Sequence, residues 1–277
     1  MDIPQSVIDV IHRALQEDIG HGDITTSLLI PEESKSRARY IAKGSFVLAG
    51  LPFVQEVFRN LDSSIVLNAF HNDGSKVKQG DVIAEISGRI HTILKGERVS
   101  LNILQRLSGI ATLTSMYVKR IEGLKAKIVD TRKTTPCQRI MEKYAVRVGG
   151  GYNHRFGLFD GILIKDNHIK ALESIKKAVR AAKKGHHLFK IEVEVKNLKE
   201  LQESIEAGAD IVMLDNMPVH DMKEAVEIAK GRVMLEASGN IKLENVREVA
   251  ETGVDLISVG ALTHSAIAAD ISLKIVK

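Results

Sequence analysis

Apolar residues recur with different periods in different segments of this chain, and these periods predict its elements. From residue 7 to residue 15 they fall at helical spacing, so the chain should begin with an amphipathic helix that ends before Gly20. Between residues 36 and 88 the apolar runs are short and are separated by turn-forming residues such as Asn72-Asp73-Gly74. The first third of the sequence therefore predicts a small α+β module.

A longer apolar stripe follows between Leu101 and Met116. Its spacing predicts a helix over residues 97–120, and the polar residues Arg98 and Asn102 lie four apart on another face. We expect this helix to connect the amino-terminal module to the rest of the chain.

Six short apolar runs follow, and amphipathic segments of crossover length separate several of them, as in repeated βα units. The runs are residues 127–130, 161–164, 189–195, 210–214, 233–235 and 256–259. The segments predicted as crossover helices are residues 172–184, 221–230 and 243–251. Buried parallel strands of this kind occur both in α/β barrels and in doubly wound open sheets.

Polar and charged residues stand at the end of every one of the six runs. They are Asp130 to Lys133, Lys165 to Asn167, Glu192 with Glu194, Asp215 with Asn216, Glu236 with Ser238, and Ser258 before Gly260. Ionised groups in such places are costly unless a ligand or a partner compensates them. In a barrel all six ends meet at one mouth, whereas an open sheet gathers only two at its switch point. The sequence therefore favours an α/β barrel with a binding site at that mouth, and we call these strand ends the rim.

The rim divides by charge. Its cationic side suits carboxylates or phosphates and comprises Arg132, Lys133, His154, Arg155 and Lys165. Its acidic side suits sugar hydroxyls and a hard cation such as Mg²⁺ and comprises Glu194, Asp215 and Glu236. Two loops precede predicted helices and offer backbone N–H groups to a phosphate, namely Ser238-Gly239-Asn240 and Ser258-Val259-Gly260.

Composition narrows the class of protein. The net charge is only +4 over 277 residues and aromatic residues make up 4%, so no stacking platform for nucleic acid is indicated. Cys137 is the single cysteine, which excludes an intrachain disulfide and a multi-cysteine zinc site. No apolar run approaches the roughly 20 residues that span a bilayer, and residues 1–17 do not resemble a targeting segment. We therefore expect a cytoplasmic protein with small-molecule partners.

Three alternative functions fit single features. Lys165 after an apolar run would suit Schiff-base chemistry, but that requires a dry pocket, and its charged neighbours disfavour one. Gly149-Gly150-Gly151 resembles part of a nucleotide-binding loop, although it follows an amphipathic segment and not a strand. A regulatory barrel that binds a phosphorylated ligand without turnover is the alternative from a different class.

Stretches along nearly the whole chain resemble the quinolinate phosphoribosyltransferase family. They are Glu17-Asp18-Ile19-Gly20 with Gly22-Asp23, Glu97-Arg98 with Leu101-Asn102, Asp130-Thr131-Arg132-Lys133-Thr134, Gly149-Gly150-Gly151 through His154-Arg155, Leu163-Ile164-Lys165-Asp166-Asn167-His168, Glu192-Val193-Glu194, Leu214-Asp215-Asn216, Glu236-Ala237-Ser238-Gly239 and Ser258-Val259-Gly260. The resemblance implies an incomplete α/β (TIM-like) barrel at residues 109–266 and a smaller N-terminal α/β sandwich domain at residues 1–108. The tail, at about residues 267–277, would pack on that sandwich.

The resemblance also implies an activity. Phosphoribosyl transfer from phosphoribosyl diphosphate to quinolinate with decarboxylation would give nicotinate mononucleotide, diphosphate and CO₂ in de novo NAD biosynthesis. Mg²⁺ would accompany the diphosphate, no organic cofactor would be needed, and the metal's protein ligands stay unassigned. A homodimer, or a larger assembly of such dimers, would share its sites, with Arg98 donated across the interface. A relative that transfers to another acceptor, such as a paralogue associated with molybdate transport, is the nearest alternative.

Roles for individual residues follow from the same resemblance. The catalytic residues would be Lys165, Glu194 and Asp215, of which the two acids hold the ribose hydroxyls and stabilise positive charge on the ribosyl ring. Quinolinate and diphosphate would be bound by Arg98, Thr131, Arg132, Lys133, His154, Arg155 and Lys165. The 5′-phosphate would be bound by Ser238, Gly239, Asn240, Ser258, Val259 and Gly260.

Overall fold

A computed structural model describes residues 2–185 and 187–276, so Met1 and the last residue of the expected tail, Lys277, lie outside it. The helices are α1 (Gln5–Ile19), α2 (Ile24–Leu29), α3 (Leu51–Leu61), α4 (Ile90–Arg120), α5 (Arg139–Val148), α6 (Asp166–Leu172), α7 (Ile175–Gly185), α8 (Leu198–Ala207), α9 (Val219–Ala229), α10 (Val246–Ala250) and α11 (Ala261–His264). The strands are β1 (Lys35–Ala42), β2 (Phe46–Val47), β3 (Val66–Ala69), β4 (Lys76–Val77), β5 (Val82–Arg89), β6 (Lys127–Val129), β7 (Ile162–Ile164), β8 (Ile191–Val195), β9 (Ile211–Asp215), β10 (Met234–Ser238), β11 (Leu256–Ser258) and β12 (Ile271–Val276). None of the helices in the described ranges has the length and apolar character of a membrane span.

The residues separate into two compact units. Among the described residues, the first comprises 2–115, 134–150 and 265–276, and the second comprises 116–133, 151–185 and 187–264. Helix α5 belongs to the first unit, although the expected domain division places its residues in the barrel. Its contacts explain this, because the buried Glu142 accepts hydrogen bonds from Arg106 of α4, and the Tyr144 hydroxyl donates to Asp73.

An antiparallel sheet with the strand order β12-β1-β5-β3 organises the first unit. Ala38, Tyr40 and Ala42 of β1 are buried and alternate with more exposed residues, which is the pattern of a sheet covered on one face. The covering side chains include Phe58 of α3 and Leu104 of α4, both almost fully buried. The carboxyl-terminal strand β12 pairs with β1, so the end of the chain completes this sheet.

The second unit is built on six parallel strands in the order β6-β11-β10-β9-β8-β7. The strands from β7 to β11 are neighbours in chain order, and β6 then pairs with β11, whereas a doubly wound sheet would reverse its order at an internal strand. Strands β6 and β7 do not pair, but Tyr152 bridges to Val129 on the open side of β6. The architecture is therefore an incomplete α/β barrel, as the distribution of polar residues predicts.

Two predicted helices differ from those observed. The segment 172–184 contains parts of α6 and α7, because Glu173 adopts a left-handed conformation with φ of 57° and ends α6. Helix α10 begins only at Val246, not near residue 243. The loop Ser238-Gly239-Asn240 consequently does not lead directly into a helix, which corrects the expectation that helical N–H groups lie beside it.

Candidate active site

The register of the parallel strands brings Asp215, Ser238 and Ser258 to one level. Ser238 at the end of β10 lies opposite Asp215 of β9 and Ser258 of β11, and Ser258 lies opposite Val129 of β6. Glu194 is the fourth residue of the five in β8 and lies opposite Met213. Because carboxyl ends of parallel strands share one edge, the barrel gathers residues far apart in sequence, as the rim requires.

The acidic side of the rim centres on Glu194. Its carboxylate lies 3.8 Å from Nζ of Lys165, a lysine whose side chain is half-exposed. Burial raises the pKa of Glu194; the positive charge of Lys165 opposes this, and the nearby carboxylate of Asp215 adds to it. Lys165 thus pairs with Glu194 at an open position, which does not provide the dry pocket that Schiff-base chemistry needs.

Asn216 links Asp215 to the loop that follows β10. Its amide donates to Oδ1 of Asp215 at 2.9 Å, and its Oδ1 accepts from the Asn240 amide at 2.9 Å. A Cβ on Gly239 would overlap the Asn216 side chain, and the φ of 91° at Gly239 also favours glycine. The neighbouring acid and the loop are therefore held together by one side chain that the sequence interpretation did not single out.

The second small-residue loop lies against the segment after β6. The Thr263 hydroxyl donates to the backbone carbonyl of Lys133 at 2.8 Å, and the Lys133 N–H donates to the Thr131 hydroxyl at 3.0 Å. A Cβ built at Gly260 would lie 3.0 Å from Cδ of Lys133, so the lysine stem runs directly over this glycine. Val259 is buried and donates its N–H to the carbonyl of Val129, so its N–H is already used within the barrel.

Two guanidinium groups approach each other on the cationic side. Burial lowers the pKa of Arg155, and the positive charge of Arg132 lowers it further. Arg155 donates from Nη1 to the Gly161 carbonyl at 2.9 Å, whereas its buried Nε has no hydrogen-bond partner. A like-charged pair with an unused donor is well suited to bind a carboxylate or a phosphate.

Next to Arg155 lies a largely buried group of side chains that we call the inner cluster, composed of Asp130, His154, Glu192 and Glu236. His154 Nε2 lies 3.0 Å from Oε2 of Glu192 and 3.7 Å from Oε2 of Glu236. Glu236 is fully buried, and burial raises its pKa well above the usual range, with the charge of Glu192 adding to the effect. Glu236 is therefore not an exposed rim residue, which corrects the expectation of three acids there: its side chain is fully buried, whereas that of Glu194 is partly exposed.

A cavity of about 480 Å³ opens at the opposite, amino-terminal end of these strands. Lys127 and Leu256 begin their strands and line it, and His154, Glu192 and Glu236 form part of its wall. Among its described lining residues we do not find Lys165, Glu194 or Asp215. Arg155 also lines this cavity, together with Gly161, whose carbonyl accepts from its guanidinium, so the cavity reaches one residue of the cationic side but not the acidic side of the rim.

Arg98 is the one expected site residue that the first unit carries. It lies on α4 with an exposed side chain. Within the second unit, the structure brings together Lys165, Glu194 and Asp215, the loop from Ser238 to Asn240 with Asn216, Lys133 with Gly260, and Arg132 with Arg155 and His154. The roles of Glu192 and Asn216 were not foreseen, although the alternation of Glu192 with Glu194 indicated that both acids share one side of β8.

The barrel and its rim define a class: an α/β-barrel protein with basic side chains and carboxylates gathered near the carboxyl ends of its strands. Comparison with known proteins specifies the family. Models of the quinolinate phosphoribosyl transferase N-terminal and C-terminal domains match residues 23–108 and 110–274. The chain therefore belongs to the quinolinate phosphoribosyltransferase family.

Individual relatives match over nearly the whole length. A probable nicotinate-nucleotide pyrophosphorylase [carboxylating] from Bacillus subtilis is 46% identical over 260 residues, covering 94% of this chain and 90% of the relative. A protein of the same name from Synechocystis is 43% identical over 279 residues, covering 99% and 94%. The solved structure of the nicotinate-nucleotide pyrophosphorylase from Francisella tularensis is 46% identical with a TM-score of 0.93, covering 99% of this chain and 98% of that one.

Proposed function

We propose that this chain transfers the phosphoribosyl group of phosphoribosyl diphosphate to quinolinate and releases CO₂, which gives nicotinate mononucleotide for NAD biosynthesis. The observation that carries the proposal is the rim itself, in which Arg132 and Arg155 lie together while Lys165 pairs with Glu194, which has Asp215 beside it. An aromatic dicarboxylate and an activated sugar phosphate together need both features: basic groups for the carboxylates and phosphates, and carboxylates for the sugar. The family membership and the near-complete coverage of its relatives support the same reaction.

The cationic side binds and orients quinolinate. Arg132, Arg155 and Lys165 supply charge-assisted donors for its two carboxylates, and each such bond contributes roughly 1.5 to 3 kcal/mol. Arg155 supports this role because its Nε–H is buried without a protein acceptor. Fixing both carboxylates aims the ring nitrogen at C1 of the ribosyl group, which turns an encounter into a positioned attack.

The acidic side stabilises the sugar as the bond to diphosphate breaks. When the ring nitrogen bonds to C1, the electron pair of the C1–O bond leaves with diphosphate, and positive charge develops on the ribosyl ring. Glu194 and Asp215 place negative charge at this position, and oriented charge of this kind contributes strongly in a partly desolvated site. Asn216 holds Asp215 in place through its 2.9 Å hydrogen bond.

Decarboxylation follows from the product of the first step. The ribosylated ring nitrogen is cationic, so the electron pair left on the adjacent carbon by CO₂ loss is stabilised by that charge. A proton from solvent then replaces the lost carboxylate on the ring carbon. The substrate supplies this stabilisation, and the proposal therefore includes no organic cofactor.

We include Mg²⁺ in the proposal as a companion of the diphosphate. The carboxylates of Glu194 and Asp215 are hard oxygen donors of the type this ion prefers, so the acidic side of the rim fits it. Bound Mg²⁺ would neutralise charge on the leaving diphosphate. Lys133 and the backbone of the loops at Gly239 and Gly260 would hold the remaining phosphate oxygens.

The assay that tests the function uses the purified chain with quinolinate, phosphoribosyl diphosphate and Mg²⁺. We expect equal amounts of CO₂, diphosphate and nicotinate mononucleotide. Nicotinate is the matched control, since it lacks one carboxylate, and its kcat/KM should be at least about 100-fold lower because a set of buried donors loses its partner. Binding of phosphoribosyl diphosphate without turnover of any acceptor would instead favour the non-catalytic barrel.

We further propose that the protein works as a cytoplasmic homodimer with shared sites. Ile24, Leu28 and Leu29 on α2 of the first unit are each at least 75% exposed, and an exposed apolar group of this size supports an interface. In this dimer, the exposed Arg98 would contact the substrate that is bound in the site of the partner subunit.

Mixing two inactive variants tests the shared site. Heterodimers of Arg98→Ala and Lys165→Ala chains should recover up to about a quarter to a half of the wild-type rate, because one of their two sites keeps both residues. Each variant alone should stay inactive, and the rate is measured as CO₂ release after the heterodimer has been isolated by two affinity tags. Absence of recovery in verified heterodimers would contradict the arrangement.

A further inference from the structure

We infer that Glu192 is a positioning residue of the quinolinate site, which holds the ring of His154 and, through it, the Arg155 segment in a single arrangement. The inference rests on the proposed function. It assigns a role to a buried acid that neither step of the transfer chemistry uses.

The inner cluster fixes His154 from three directions. Its backbone N–H donates to Oδ1 of Asp130 at 2.8 Å, its Nδ1 accepts the N–H of Arg155 at 2.8 Å, and its Nε2 lies 3.0 Å from Glu192. The side chain of His154 is 14% exposed and that of Glu192 is 7% exposed. Every polar atom of this histidine that faces the cluster is therefore occupied by the protein.

These contacts decide where the ring carries its proton. Nδ1 accepts a backbone N–H and so presents its lone pair, which leaves the proton on Nε2. The Nε2–H group then donates to the Glu192 carboxylate. His154 is consequently neutral and is hydrogen-bonded to Asp130, Arg155 and Glu192. In this arrangement it does not supply a positive charge to a bound carboxylate.

The same tautomer argues against a metal ion in this cluster. Ligand atoms of His154, Glu192 and Glu236 lie within 4.8 Å of one another, a spacing that a divalent ion could bridge. An ion on Nε2 would require the ring proton on Nδ1, where it would oppose the N–H of Arg155. The guanidinium of Arg155 also lies close enough to Glu192 to interact with its charge. A neutral histidine held by an acid fits these contacts better.

This arrangement holds Arg155 in position. Its N–H is tied to the ring of His154, and its guanidinium is tied to the Gly161 carbonyl, so both ends of the residue are fixed. Glu192 in addition offsets part of the repulsion between Arg155 and Arg132. A displacement of about 1 Å in a group that orients a substrate can cost about 100-fold in rate. Loss of the Glu192 anchor should therefore weaken the binding of the dicarboxylate before it affects the sugar phosphate.

Two substitutions distinguish the hydrogen-bond acceptor of Glu192 from its negative charge. Glu192→Leu removes the acceptor, and we expect the KM for quinolinate to rise about tenfold or more while the KM for phosphoribosyl diphosphate stays within about twofold. Glu192→Gln keeps an oxygen acceptor and removes the charge, and should retain a KM for quinolinate within about threefold of wild type. Glu227→Gln on the exposed face of α9 is the matched control for the substitution itself. A merely structural role of Glu192 would change both KM values and the melting temperature together, and would overturn the inference, as would equal losses in Glu192→Leu and Glu192→Gln.

Nitrogen-15 NMR of histidine-labelled protein shows directly which ring nitrogen of His154 is protonated. Wild type and Glu192→Gln should show a His154 ring protonated at Nε2 only, and Glu192→Leu should lose this single tautomer. Stoichiometric zinc or manganese in the purified protein, or protonation of both nitrogens at neutral pH, would overturn the inference. If the wild type did not turn over quinolinate, the proposed function would fail while the spectrum still tested whether Glu192 holds the ring.

Discussion

Replacing Glu194 by glutamine should lower kcat by about 100- to 1,000-fold while the KM for quinolinate changes only a few-fold. The amide keeps the size of the side chain but removes the negative charge that, in the proposed reaction, faces the developing ribosyl cation, and loss of one such oriented group typically has this magnitude. The carboxylate is partly buried between Lys165 and Asp215, so water does not replace its effect. Steady-state kinetics with both substrates varied measure the two constants.

The control for this variant is Asp166→Asn. Asp166 also lies near Glu194, but it is paired with Lys170 and Lys196 at the surface, so its loss should reduce kcat less than about threefold. A pH profile adds a second test. Asp215 raises the pKa of Glu194, so Asp215→Asn should move the acid limb of kcat/KM to lower pH, whatever its effect on the maximal rate. Equal losses in the Glu194 and Asp166 variants, or an acid limb that moves upward, would contradict the assignment.

Replacing Glu236 by glutamine should raise the thermal stability, by an amount that grows with pH. Glu236 is fully buried, neither of its oxygens has a hydrogen-bond partner, and it lies beside a second acid. Its folded-state pKa is raised, so the stability that its protonated form contributes is complete below the unfolded pKa of about 4.3 and is lost as the pH rises toward the folded value. Glutamine is neutral throughout and can donate to Glu192. Replacing buried ion pairs by uncharged residues of similar volume is often neutral or stabilises by roughly 1 to 4 kcal/mol, and the same loss of desolvated charge applies to Glu236.

Thermal unfolding at pH 5, 7 and 8.5 measures this effect. The melting temperature of Glu236→Gln should nearly equal that of wild type at pH 5 and exceed it by several degrees at pH 8.5. The exposed Glu227→Gln variant should show no such dependence. A constant difference across this range, or a lower melting temperature at high pH, would show that the carboxyl group of Glu236 does not stay protonated in the folded protein.

The inner cluster suggests why such an unfavourable group persists. Buried acids without partners reduce stability, and they are tolerated where an arrangement of side chains is needed for binding. Glu192 anchors His154, and Glu236 completes the wall beside it. A stability gain in Glu236→Gln together with a loss of quinolinate affinity in Glu192→Leu would show that one acid of the inner cluster lowers stability while its neighbour supports quinolinate binding.

The sequence predicted the barrel because its signals are local. Apolar runs such as residues 210–214 and 256–259 have the length and composition of buried strands, and the observed strands Ile211–Asp215 and Leu256–Ser258 lie within about one residue of them. Polar residues after each run then indicated which end of the sheet carries chemistry. Helix ends were predicted less well, since the left-handed conformation at Glu173 has no signature in the apolar period.

Chain order and side-chain chemistry thus determined the six parallel strands, the charged rim and the residues Lys165, Glu194 and Asp215 upon it. Tertiary structure alone decided that Glu236 is buried and not exposed at the rim, that His154 is bound by Glu192, and that α5 packs in the first unit. The physical reason is that periodicity specifies which face a residue occupies. How deeply a side chain is buried, and which partners it meets, depends on how distant segments pair and pack.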